Sequence, residues 1–110
     1  MPKWPRVALI LVATSALFPG VASAQMSPAE QRGRTFAQAN CARCHAIDKV
    51  SPSPLTIAPP FRTLNEKYPV ESLAESLAEG IVTGHPTMPE FRLEADQVGD
   101  FIAFLKSLAP

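Results

Sequence analysis

Apolar positions along this chain fall into four stretches with different spacing. Val7 to Phe18 is one largely apolar run, ended by Pro19-Gly20. After it the pattern becomes helical. Gly33, Phe36 and Ala37 share a small, apolar face that predicts a helix from Pro28 to about Ala39. Ser27-Pro28-Ala29-Glu30 just ahead of it is a capping box with proline at the first helical position. A second helix is predicted after Pro69, where Leu73, Ala74, Leu77, Ala78 and Ile81 recur at helical spacing and Gly80 stands as a cap. The third, about Glu94 to Leu108, carries Val98, Phe101, Ile102, Leu105 and Leu108 on one stripe. Lys106 suits its negative end, and Gly99 inside it costs about 1 kcal/mol relative to alanine.

The segments between do not repeat. Residues 46–60 hold Pro52, Pro54, Pro59 and Pro60, and residues 82–92 hold Gly84, Pro86 and Pro89, so both read as loop. Phe61 to Asn65 fits one short helical turn. No run alternates long enough for a strand. The expected class is all-α, with three main helices separated by proline-rich loops.

The first stretch has a different meaning. Lys3 and Arg6 precede the apolar run, and Ala22-Ser23-Ala24 supplies the small residues read by a signal peptidase. A membrane span needs about 20 apolar residues, more than this run provides. Residues 1–24 are therefore expected to be a cleavable secretory signal, and 25–110 the mature domain, with no stable membrane insertion after cleavage. An uncleaved tether is the competing reading.

Charge narrows the function. The 110 residues carry ten Lys plus Arg against ten Asp plus Glu, and removal of Lys3 and Arg6 leaves the mature part slightly acidic. Phosphate recognition requires a cationic excess, so no nucleic-acid partner is expected. So small a mature chain commonly needs a metal, a disulfide or a cofactor to complete its core.

Cys41-Ala42-Arg43-Cys44-His45 offers one. Two cysteines three apart with histidine next are the c-type haem attachment pattern. A two-residue spacer on a turn brings both thiols to one porphyrin edge, where each adds to a vinyl group. The following histidine is then aimed at the iron through Nε2. Three other chemistries use the same residues. A redox dithiol needs a strand–helix–strand context, a zinc site needs four ligands such as Cys41, Cys44, His45 and His85, and a plain Cys41–Cys44 disulfide suits an oxidising compartment.

With these features the chain resembles the class I monohaem cytochromes c over essentially all of residues 25–110. Gly33 stands eight residues before Cys41, and Phe101-Ile102-Ala103-Phe104-Leu105-Lys106 closes the last helix, as in that family. The resemblance implies a cytochrome c-like fold wrapped around one covalent haem c, with the first and last helices crossing at Gly33 and Phe104. The family's aromatic position four before the first cysteine is Ala37 here, with Phe36 beside it.

The resemblance also implies second ligands and supports. Thr87-Met88-Pro89-Glu90-Phe91 looks like the family's methionine loop, which makes His45 and Met88 the iron ligands. An isolated methionine otherwise fills a core, and His85 is the rival ligand. Met1 lies in the signal and Met26 at what is read as a flexible new terminus. Ala58-Pro59-Pro60-Phe61 resembles the segment whose proline carbonyl accepts a hydrogen bond from the proximal histidine, a role that falls to Pro59. Tyr68 is a candidate donor to a haem propionate or a plain surface residue. Phe36, Phe61, Leu64, Leu73, Leu77, Phe91, Phe101 and Leu105 are expected to form the apolar wall.

The function implied is periplasmic electron transfer by a monomer. The expected redox partners are a periplasmic dehydrogenase or quinol-oxidising complex as donor and a terminal oxidase or reductase as acceptor. The alternatives are a haem subunit of a dehydrogenase or oxidase complex, a five-coordinate peroxidase-like enzyme, or a gas sensor.

Overall fold

Ser27 opens the first helix with both halves of its capping box. Its Oγ accepts from the Glu30 N–H at 3.2 Å, and Glu30 Oε2 accepts from the Ser27 N–H at 3.0 Å. The computed structural model describes residues 1–5, 8, 10–20, 25–81 and 87–110. Within these, α1 runs Pro28–Asn40, α2 Leu73–Glu79 and α3 Ala95–Ser107. Two 3-10 turns, Phe61–Glu66 and Val70–Ser72, stand before α2. No strand occurs among the described residues. The all-α expectation therefore holds, with α2 shorter than the periodicity suggested because its entry tightens into the second 3-10 turn.

Residues 10–20 form no helix, and among the described residues no helix is long and apolar enough to cross a membrane. Ala22-Ser23-Ala24 and His85 lie outside the described residues. Met26, expected at a flexible end, instead packs against the core, and its carbonyl accepts from Gln31 Nε2 at 3.1 Å.

The core forms where α1 meets α3. α1 buries only Gly33 and Ala37, while α3 buries Val98, Phe101, Phe104 and Leu105. Phe104 and Leu105 are the most completely enclosed large side chains, each contributing about 1.5–3 kcal/mol by burial. A Cβ added to Gly33 would fall on the Asp100 carbonyl oxygen and 2.8 Å from Phe104 Cβ. The two helices touch backbone to backbone there, which only glycine permits. Ala37 is 0% exposed, and the neighbouring Phe36 supplies the aromatic contact, edge-on to Phe101 at 5.6 Å. The eight residues expected in the apolar wall all belong to this core or pack against it.

Ion pairs tie the helices from outside. Arg32 grips Asp100 bidentately, Nε to Oδ2 and Nη2 to Oδ1 each at 2.8 Å. The hydrogen bond from Arg32 holds the Asp100 carboxyl below the usual range. Lys106 reaches Glu71 at 2.8 Å, so it meets a carboxylate as well as the end of its own helix. A backbone bond from Leu93 N–H to Leu77 O at 2.8 Å fastens the approach to α3 onto α2.

Candidate functional site

Cys41 is the C-cap of α1, so the motif begins where the helix stops. The Cys41 N–H still donates to Ala37 O at 2.8 Å, and Cys41 O then accepts from both Cys44 N–H (3.1 Å) and His45 N–H (2.9 Å). One turn therefore carries both thiols and the imidazole. Cys41 and Cys44 are free and half-buried. Burial, and then the neighbouring Cys44, push the Cys41 thiol up to about 11. A redox dithiol relies on a depressed thiol pKa, so this environment disfavours that chemistry. Among the described residues no group of three or more His, Cys, Asp and Glu side chains is placed to hold a metal ion.

The proline-rich loop folds back onto the motif. Leu55 N–H donates to Cys44 O at 3.1 Å, and Phe61 N–H to Ala46 O at 2.9 Å. That pairing sets Phe61 against the imidazole, with ring centroids 4.9 Å apart and planes inclined by 38°. It also brings the Pro59 carbonyl oxygen to 2.7 Å from His45 Nδ1. A carbonyl can only accept, so the proton sits on Nδ1 and the Nε2 lone pair is left for a ligand bond.

Asp48 stiffens the same loop. Its Oδ1 accepts from Val50 N–H at 2.8 Å and Ser51 N–H at 2.6 Å, while Arg62 Nη1 donates to Ser51 O at 2.6 Å. The bonds from Ser51 first, then Val50, with Arg62 nearby, hold the carboxyl down at about 2 against an ordinary 3.8. A carboxyl depressed on folding adds stability above its unfolded pKa and loses it on protonation. The stability difference between the parent and Asp48→Ala is thus expected to be constant above pH about 4, and to shrink as pH falls toward about 2. Denaturant titrations across that range measure it.

From the core, Phe61, Phe101, Phe36 and Phe91 continue the aromatic contact edge to face, at 5.7, 5.6 and 6.2 Å between successive rings. Phe91 belongs to the loop that carries Met88. Met88 itself is half-buried. Tyr68 is 67% exposed and lines a surface groove of about 410 Å³ with Val70, Glu71 and Lys106. None of Cys41, Cys44, His45 or Met88 lines that groove. Arg32 and Asp100 escaped sequence reasoning, since they lie far apart along the chain, and Gly80, legible as a helix cap, gave no sign of its approach to Glu90.

Two thiols and an imidazole on one turn, the latter with Nε2 free and an apolar ring at its side, fit a covalently attached haem. Comparison with known proteins agrees. The family model described as Cytochrome c matches residues 30–109. Cytochrome c-552 of Bradyrhizobium diazoefficiens is 31% identical over 78 residues, spanning 71% of this chain and 73% of that protein. No solved structure matches the chain significantly. The chain belongs to the cytochrome c family of haem c electron carriers, its haem held covalently through Cys41 and Cys44.

Proposed function

We propose that this chain is a periplasmic single-electron shuttle whose iron is bound by His45 Nε2 and Met88 Sδ. The observation that carries the reading is the 2.7 Å approach of His45 Nδ1 to the Pro59 carbonyl. It fixes the tautomer and the ring plane, and so presents the Nε2 lone pair in one direction. Haem c bound there supplies one-electron Fe(III)/Fe(II) chemistry. The chain's part is to hold both axial groups still and keep water away. Phe61 packs beside the imidazole, and Phe101 and Phe36 extend that dry wall. Groups held this still would reorganise little between oxidation states, and the neutral, soft thioether of Met88 would favour the ferrous one.

Residues 1–24 are read as the export signal that delivers the chain to the periplasm, where a dehydrogenase or quinol-oxidising complex would donate and an oxidase or reductase accept. Tyr68 is retained as a candidate propionate donor only.

One purified sample tests the whole reading. Its mass is expected to equal residues 25–110 plus one haem, and its colour to survive acid–acetone extraction. The oxidised form is expected to show the weak near-infrared band of methionine–iron ligation. A ferrous protein that binds carbon monoxide at once, with no such band, would replace the carrier by a five-coordinate haem enzyme.

A further inference from the structure

Gly80 ends α2 with φ at +108°, in the region that L side chains rarely adopt. Two side chains also lie close over it. A Cβ there would fall on Glu90 Oε1, 3.1 Å from Glu90 Cδ and 3.2 Å from Arg92 Nε. Glu90 and Arg92 are themselves paired at 3.5 Å. Glu90 lies two residues beyond Met88, and Phe91 next to it rests edge-on against Phe36 at 6.2 Å. Two residues further on, Leu93 N–H bonds to Leu77 O at 2.8 Å. Among the described residues, the chain leaving Met88 therefore passes close over Gly80 through the Glu90 side chain, rests on Phe36 through Phe91, and is fastened to α2 at Leu93.

We propose that Gly80 and Glu90 are positioning residues for Met88: the bare glycine seats the Glu90 side chain and thereby anchors the segment that presents the thioether. The inference rests on the reading of Met88 as a ligand. Without the seat, the nearest backbone tie among the described residues is Leu77–Leu93. The loop containing Met88 is then closed further from the methionine, and its ends are less restricted. A methionine on a looser loop spends more time off the iron, so a competing ligand binds faster in proportion to the open fraction.

The test uses the haem-loaded protein and three variants: Gly80→Ala, Glu90→Ala and, as a control, Gly99→Ala, whose added methyl meets nothing within 4 Å. Two readouts are taken well below the melting temperature. The backbone amides of Thr87, Met88, Glu90 and Phe91 are expected to exchange about tenfold faster in Gly80→Ala and Glu90→Ala than in the parent or the control. Carbon monoxide is expected to bind the ferrous variants about tenfold faster, and the oxidised variants to show a weakened near-infrared band.

Unchanged exchange in folded Gly80→Ala and Glu90→Ala overturns the proposal, as does a fall in melting temperature alone. Should Gly80→Ala fail to fold, Glu90→Ala decides by itself, since it leaves the helix end intact. A parent without the methionine band removes Met88 from the iron, a separate failure. The exchange comparison still decides whether Gly80 and Glu90 anchor the segment.

Discussion

Replacing Met88 with alanine is expected to open the iron. Carbon monoxide should then bind the ferrous protein about 100-fold faster, as expected when a site blocked about 99% of the time becomes free. The reduction potential should fall, because the ligand that favours ferrous iron is gone. Peroxidase activity should rise from near zero, since a vacant position admits peroxide. Replacing His85 should do none of this to a comparable degree. Stopped-flow carbon monoxide binding and a redox titration measure the effects. If His85→Ala opens the iron and Met88→Ala does not, the axial assignment moves to His85 while the covalent haem stands.

The second large effect belongs to the helix crossing. Gly33→Ala is expected to destabilise the fold by about 2–3 kcal/mol, because its methyl meets the Asp100 backbone, which cannot rotate aside as a side chain would. At about 4–8 °C per kcal/mol for a domain of this size, the melting temperature should drop by about 10–20 °C. Gly99→Ala, on α3 but facing open space, should instead gain about 1 kcal/mol from helix propensity. Two glycine-to-alanine changes thus carry opposite signs, and thermal melts of both separate crossing contact from backbone entropy. A Gly33→Ala protein as stable as the parent would mean that the helices can slide apart without cost.

Local signals account for what could be read from the sequence. The Ser27–Glu30 box marked the start of α1 because both partners lie within one turn. The stripe from Val98 to Leu108 marked α3 for the same reason. Pro59 could be placed beside His45 only by resemblance, since the chain between them forms a loop without a repeat. The hidden features depend on residues far apart. Arg32 and Asp100 carry no sign in the sequence that they would meet, nor do Lys106 and Glu71. Glu94, where the periodicity starts α3, is its N-cap, but the bond that its N–H donates to Gln97 Oε1 at 3.0 Å is hidden among ordinary polar residues. The tightened entry to α2 follows from Pro69, which caps the Val70–Ser72 turn without donating a side-chain bond.

The meeting of α1 with α3 also sets an order of events. α1 buries little but Gly33 and Ala37, and a helix of its length is marginal alone in water. Its stabilising surface is encoded at the opposite end of the chain. A polypeptide emerging N-terminus first therefore displays Cys41, Cys44 and His45 on an unanchored segment until Phe101, Phe104 and Leu105 have followed. During that interval both thiols stand open to reaction, and docking of the last helix afterwards closes the core over the finished attachment. Chains truncated before Ala95 should accordingly stay unfolded, however complete their motif.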